Sequence, residues 1–510
     1  MKRTEPPTSL RPHDAYDAAL LANVRPPGWT NPPPASRYNL VVLGGGTAGL
    51  VTAAGAAALG AKVALVEKNL LGGDCLNVGC VPSKALLRSA RFYADLDQAP
   101  RFTGSGKPVS SEVDFAALMV RMRRLRAHLS RPDSAQRFRE LGVDVFLGEA
   151  AFADRHTVAV AGAALRFRKA VIATGARPAR PAIAGLEAAG YLTNETIFNL
   201  TERPRRLLVI GGGPLGCELA QAFGRLGCQV IITNREPYFL PSEERDAADI
   251  LADALRRDGI VVRLNTEVTS VASGDGEKRV RLVNDKQEET VAVDEILAGV
   301  GRAPNVEGLN LDAAGVEYDL DRGVRVNDYL RTSNPSIYAV GDVALARKYT
   351  HTADASARIV IQNALFRGRK KFSSLTIPWC TYTDPEIAHV GLYVKECHER
   401  GFPLKTFTVP ISDVDRAVLD GEEEGFVKIH IHEGTDTILG ATIVARHAGE
   451  MINEISLAMV AGIGLKTVSQ VIHSYPTQAE AIRKAGDAYN RARLTPFLRA
   501  LSRHWLAWTR

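Results

Sequence analysis

Gly72-Gly73-Asp74-Cys75-Leu76-Asn77-Val78-Gly79-Cys80-Val81-Pro82-Ser83-Lys84 sets two cysteines five positions apart among three glycines, with a proline just after. On a regular helix, residues five apart point about 140° away from each other. A disulfide needs its two Cα atoms within about 7 Å. If Cys75 and Cys80 bond, the backbone must leave helical geometry between them, and glycines make that departure easier. A bond held in unusual geometry is easier to reduce, which suits a working disulfide better than a staple. Two unrelated buried thiols are the alternative at this point. A zinc or iron–sulfur site would need a second cysteine pair at ligand spacing, and the chain has none.

The chain of 510 residues is long enough for three or four domains. A net charge of +6 over that length does not argue for nucleic acid as a partner. Six cysteines do not make a secreted disulfide framework. No apolar run reaches membrane-spanning length, and the N-terminus MKRTEPPTSLRPHD has no apolar core or cleavage site. The expected setting is therefore a reducing, cytoplasmic one.

Tyr38 to Leu43 reads as a buried strand running into Gly44, Gly46 and Gly49, then an alanine-rich helix. A second strand, Ala61 to Val66, ends on Glu67. This is the dinucleotide fingerprint in its proper context. The glycines let backbone approach a pyrophosphate at a helix N-terminus, and Glu67 can accept hydrogen bonds from a ribose. The pattern recurs at a constant offset: Leu207 to Ile210 is the strand, and Gly211, Gly213 and Gly216 are the glycines. There Asn234-Arg235 stands where Glu67-Lys68 stood. Loss of the carboxylate removes repulsion toward a 2′-phosphate, and Arg235 can pair with one, so NADPH is favoured over NADH. Two nucleotides plus a reducible cysteine pair imply a relay, and the cofactor that joins hydride to thiol chemistry is a flavin.

With these motifs and GRAPN at 301 to 305, ATG at 173 to 175, YAVGD at 338 to 342 and YPTQAE at 475 to 480, the chain resembles the class I pyridine nucleotide–disulfide oxidoreductases over roughly residues 38 to 488. Within that family it is most similar to the mercuric-reductase branch. The resemblance implies an α/β protein of two Rossmann-type dinucleotide-binding domains and a C-terminal α+β dimerisation domain, with FAD and NADPH (or NADH) as cofactors. It implies a homodimer whose active site the partner subunit completes. By that resemblance Cys80 is the thiol beside the flavin and Cys75 the interchange thiol. Lys84 would lie near flavin N5 and pair with Glu218. Asp342, at the end of a short apolar strand, would hydrogen-bond the ribityl side, and Thr174, Gly175 and Gly301 would also line the cofactors. Expected boundaries are 1–36 for a proline-rich arm, 37–184 with 306–374 for the FAD domain, 185–305 for the NAD(P)H domain, 375–488 for dimerisation and 489–510 for a basic amphipathic tail.

The arm, with Pro6-Pro7, Pro26-Pro27 and Pro32-Pro33-Pro34, is expected to be extended or disordered. The basic helix within 105 to 150, including Arg121, Arg123, Arg124 and Arg126, is expected to be a solvated face. His351 to Asn363 should be a helix over the flavin domain, and His351 is expected to pack, with a catalytic role as the alternative. Strands at Thr406 to Ile411, Gly425 to Ile431 and Ile438 to Ala445, with helix from Met451 to Gly462, suggest a mixed sheet carrying helices.

One position decides the substrate class. Disulfide reductases of the family carry a histidine before the proline of the last motif, held by a glutamate, as base for the interchange thiol. Here the position is Tyr475, with Glu480 retained, and a phenol titrates near pH 10. Disulfide exchange should be handicapped, unless His473 swings in as base. Mercuric reductases share a tyrosine here, so a thiophilic metal ion such as Hg(II) is the expected substrate. True mercuric reductases also bear a C-terminal cysteine pair and an N-terminal CxxC, and neither is expected here, because the last cysteine is Cys397 and the first is Cys75. Cys217 and Cys228 are expected to pack. The alternatives are a disulfide reductase of the dihydrolipoamide dehydrogenase or glutathione reductase type, a low-turnover redox sensor, or an electron carrier at a membrane surface. The last rests on the tail, where Leu494, Phe497, Leu498, Leu501, Trp505 and Trp508 follow helical spacing beside Arg499, Arg503 and Arg510. A helix packed on the dimer or on the arm is the favoured reading of that tail.

Overall fold

The computed structural model describes residues 10–510 other than 105, 107–111, 275 and 286, so Pro6-Pro7 lies outside the described residues. The chain divides into two compact units, one running to Arg235 and including Thr266–Leu375, the other made of Glu236–Asn265 and Thr376–Arg510.

The first unit opens on a helix where an extended arm was expected. Asp14 caps α1 (Ala15–Val24), accepting from the N–H groups of Tyr16 and Asp17. The prolines flank this segment and do not enter it. Leu20 and Val24 are completely buried in the unit's core, which contributes roughly 2 kcal/mol per side chain.

Next comes β1 (Tyr38–Leu43), then α2 (Thr47–Ala58) and β2 (Val63–Glu67). Five parallel strands lie in the order Asp144–Leu147, β2, β1, Ala163–Ile172 and Ile337–Ala339. The sheet is covered on both faces, so β1 is apolar nearly throughout. Leu40 and Val42 enter one core, with α1 and α2, while Val41 and Leu43 enter the other. The helix Thr350–Leu365 packs on α2. After β2 the chain forms a short helix, α3 (Gly73–Asn77), then the long α4 (Cys80–Thr103) and α5 (Phe115–Leu129).

α5 corrects the expectation of a solvated basic face. Arg124 is exposed, but Arg123 and Arg126 are buried. Arg126 Nη2 pairs with Asp17 at 2.9 Å and Arg123 Nε with Asp14 at 2.6 Å. Arg121 donates to the Ala85 carbonyl and Ser89. The acids of α1 turn a charged helix face into an internal one.

The second glycine motif builds a smaller copy of the first. Arg206–Ile210, flanked by Gln229–Thr233 and Glu295–Ala298, pairs in parallel with both, and the helix Pro214–Arg225 follows its glycine turn. A three-stranded antiparallel sheet, Glu267–Gly274, Glu277–Val283 and Glu288–Val293, shares its core.

In the second unit five strands lie in the order Trp379–Thr381, Glu386–Gly391, Ile438–Ala445, Phe426–His432 and Leu404–Pro410. Every pairing is antiparallel, not mixed as expected. The helices Ala448–Val460 and Glu480–Ala492 complete its core. Beyond them Pro496–Trp508 is helical, capped by Thr495, and buries none of its residues. None of the described helices is long and apolar enough to cross a membrane.

Candidate active site

Cys75 lies in α3 and Cys80 opens α4, and the helix breaks between them at Val78 and Gly79. That break is the departure from helical geometry that a bond between Cys75 and Cys80 would require. A Cβ on Gly79 would sit 2.8 Å from the Asp74 carbonyl, so only glycine fits where the chain doubles back. Gly73, at φ 57°, rests on the first glycine turn, where an added Cβ would be 2.6 Å from Gly46 Cα. Both cysteines are thiols in this structure. Cys80 Sγ lies 3.3 Å from Thr350 Oγ1.

The two sulfurs titrate apart. The hydrogen bond from Cys75 pulls the Cys80 thiol down to about 6, against the cost of burial, with help from Thr350 and the Lys84 charge. The same bond, followed by burial, drives Cys75 upward. Cys80 is thus the thiolate of the pair and Cys75 its proton donor. Lys84 Nζ donates to Glu218 Oε2 at 2.7 Å, joining α4 to the helix of the second glycine fold. Cys217 and Cys228 are buried, and burial raises both thiols, as packing residues require.

Each glycine turn ends at a helix with a glycine N-cap, Gly46 or Gly213, and no side-chain cap. The first-turn N–H groups are therefore offered to an anion, which fits a dinucleotide pyrophosphate at both turns. Glu67 is buried at the end of β2 and accepts from Gly45 N at 2.5 Å and Asn69 N at 2.6 Å. In the second fold Arg235 is 78% exposed, 3.9 Å from Glu267, and follows Asn234 in the place of Glu67-Lys68.

Around the first turn Thr174 Oγ1 donates to the Asn305 carbonyl, and Asn305 Nδ2 returns a bond to the Thr174 carbonyl. Gly175 and Gly301, at φ 68° and 116°, border the antiparallel pair Ala176–Pro178 and Arg302–Pro304 that this lacing aligns. Arg302 bridges Asp74, beside Cys75, and Asp342, whose Oδ2 is 3.5 Å from its Nε. Burial raises the Asp342 carboxyl, and Arg302 opposes that rise. Three of these groups were not singled out from sequence: Arg302, Asp74 and Thr350. Arg302 stood inside GRAPN and Asp74 inside the dithiol stretch, whereas Thr350 had no local signal. Neighbouring His351 is exposed and stacks on Tyr349, with ring centroids 5.3 Å apart.

In the second unit, Tyr475 is 70% exposed and its hydroxyl donates to Asp415 at 2.9 Å. That bond holds the phenol above its ordinary value. Glu480 is buried and pairs with Arg483 at 2.6 Å, not with the residue before the proline. His473 does not hang free to act as a base. Its Nε2 lies 3.0 Å from Glu454, and its Nδ1 lies 3.1 Å from the Val471 carbonyl.

Two glycine turns with uncapped helices, joined by a cysteine pair that titrates apart, define an oxidoreductase of the two-nucleotide, dithiol kind. The chain belongs to the pyridine nucleotide-disulphide oxidoreductase family, whose profile matches residues 38–358, and the family's dimerisation-domain profile matches 377–486. The family is FAD-dependent with NAD(P)H as electron donor, and the dimerisation domain implies a homodimer. The chain is 35% identical to a mercuric reductase of Lysinibacillus sphaericus, over 89% of this chain and 83% of that one. It is 34% identical to a dihydrolipoyl dehydrogenase of Thermus scotoductus, over 89% and 98%. Among solved structures it is similar to the Cu(II) complex of the HOCl-induced flavoprotein disulfide reductase RclA from Escherichia coli. That match has a TM-score of 0.79 at 27% identity and covers 87% of this chain and 98% of that one.

Proposed function

We propose that this oxidoreductase uses NADPH to reduce a thiophilic metal ion, of which Hg(II) is the type, at the Cys75–Cys80 dithiol. The observation that carries it is the state of the last motif. Tyr475 is tied to Asp415 and its phenol is raised, while His473 is tied to Glu454. A disulfide substrate needs a proton delivered to its leaving thiol, and the Tyr475 hydroxyl and the His473 ring are already engaged by Asp415 and Glu454. A metal ion needs thiolate and electrons. Cys80 supplies the thiolate near neutral pH, and Cys75 gives up its proton when the metal is bound by both sulfurs. The reaction balances as NADPH and Hg(II) giving NADP⁺, a proton and Hg(0).

Gly44, Gly46, Gly49 and Glu67 would hold FAD, with Thr174, Gly175, Gly301 and Asp342 toward its flavin end. Gly211, Gly213, Gly216, Asn234 and Arg235 would hold NADPH. FAD, when bound, supplies the two-electron exchange between nicotinamide and sulfur. Lys84, fixed by Glu218, keeps a positive charge near Cys80 and so favours its thiolate. The partner subunit would bring Tyr475 and Glu480 to the dithiol, in a cytoplasmic, reducing setting. The relatedness to mercuric reductases and to a protein solved with Cu(II) supports this choice of substrate. The relatedness to dihydrolipoyl dehydrogenases favours disulfide reduction as the second reading.

The test compares NADPH oxidation with Hg(II), Cu(II), glutathione disulfide and lipoamide. Metal-dependent turnover is expected to exceed disulfide turnover, and Tyr475→His should raise disulfide turnover by about a hundredfold, the low end of the usual range for a general base. Fast turnover of either disulfide by the unaltered enzyme would overturn the proposal.

A further inference from the structure

We propose that α1 is a clasp on the dithiol turn, with Asp17 and Arg126 as positioning residues for Cys75 and Cys80. This deepens the function proposed above and rests on it. α3 is only five residues long, so its last carbonyls find few partners within the helix. One of them, the Asn77 carbonyl, accepts from Arg126 Nη1 at 3.0 Å. The same guanidinium holds Asp17 of α1 through Nη2, and both side chains are 1% exposed. Asn77 in turn ties the start of the turn, because its Nδ2 donates to the Leu71 carbonyl at 3.0 Å and the Gly73 carbonyl at 2.8 Å.

A second grip lies a few residues upstream. Leu71 N donates to the Val24 carbonyl at the end of α1, at 3.2 Å. Arg25 Nη1 donates to the carbonyls of Lys68 and Asn69, at 2.8 and 2.6 Å. The segment from β2 to Cys80 is thus held at one end directly by Val24 and Arg25, which precede the family match starting at residue 38, and at the other by Arg126, whose carboxylate partner Asp17 also precedes it. The charges make the device conditional. A guanidinium as buried as Arg126 needs a carboxylate partner, and that partner, Asp17, comes from α1. The thiolate at Cys80 depends first on the Cys75 hydrogen bond, so the turn that sets their approach also sets the reactivity of the pair.

The test uses the full-length holoenzyme carrying Asp17→Leu with Arg126→Met. Replacing both charges by apolar groups leaves no unpaired ion, so fold and flavin content are expected to persist. NADPH oxidation by ferricyanide, which takes electrons without the cysteines, should be unchanged. The midpoint of Cys80 alkylation against pH should move upward, and Hg(II) reduction should fall by about tenfold to a hundredfold, as a small displacement of a reacting group does. Arg25→Met cuts the other grip without burying a charge and should shift both readouts the same way, by less. If Arg25→Met and any folded double variant leave the alkylation profile and the ratio of Hg(II) to ferricyanide rates unaltered, the clasp is wrong. Cys75→Ser and Cys80→Ser separate the two ideas. If these retain Hg(II) reduction, the dithiol reading fails and the clasp falls with it; if they abolish it while the clasp variants are silent, only the clasp fails.

Discussion

The first glycine turn and the second are built alike and finished differently. Both pack helix against strand where no Cβ fits: one on Gly49 would lie 1.8 Å from the Gly44 carbonyl oxygen, and one on Gly216 would lie 2.2 Å from the Gly211 oxygen. The strand after the first turn ends on a buried carboxylate, Glu67, fastened to the backbone of Gly45 and Asn69. The strand after the second ends at Thr233 and is followed by Asn234 and an exposed Arg235. A buried acid that organises its own loop suits a cofactor that stays. An exposed cation suits a charged nucleotide that comes and goes and is recognised by its phosphate. The dithiol segment is attached to both glycine folds, through Gly73 of α3 on Gly46 and through Lys84 of α4 on Glu218 in the helix after the second turn.

The largest test of that contrast is the pair Gly49→Ala and Gly216→Ala. Each forces backbone apart, at a cost of about 3 kcal/mol or more. Gly49→Ala should abolish bound flavin, read from the absorbance of the purified protein. Gly216→Ala should keep the flavin and lose reduction by NADPH. Loss of flavin from both would erase the functional difference between the turns.

Next come the residues that finish each turn. Glu67→Gln keeps one acceptor for two backbone N–H groups and should weaken flavin retention during dialysis. Arg235→Ala should raise the KM for NADPH by about tenfold, roughly 1.4 kcal/mol, and leave that for NADH unchanged. Equal effects on the two nucleotides would show that Arg235 does not read the 2′-phosphate.

The smallest effect concerns the dithiol between the turns. A lowered thiol value means thiolate above it and thiol below it. Cys80 should therefore alkylate quickly at neutral pH and lose reactivity as pH falls through about 6. Cys75→Ala removes the largest cause and should move that midpoint up toward the ordinary thiol value of about 8.5. Lys84→Gln should move it less, because the Lys84 charge lowers the thiol by less than the Cys75 hydrogen bond does.

Much of the site was legible before any coordinates. Gly44 to Glu67 and Gly211 to Arg235 are local patterns, and the helix break found at Val78 and Gly79 is the one that a bonded Cys75–Cys80 pair would need. Thr350 was not legible, because a lone threonine at a helix start carries no signal for a cysteine far away in the chain. Tyr475 was noticed by its place in a motif, but its bond to Asp415 and the capture of His473 by Glu454 were not. The basic stripe of α5 was misjudged for the same reason. An arginine pattern on one helix is silent about acids on another.

By itself the sequence determined where the chain turns on glycine and which strand ends on an acid. These follow from backbone sterics and short spacing, which act within a few residues. The tertiary structure alone decided that Arg126 is internal, that α1 exists to pair it, and which of the two thiols holds the charge. Those outcomes depend on burial and on charges brought together from distant parts of the chain, where a low dielectric makes each partner count.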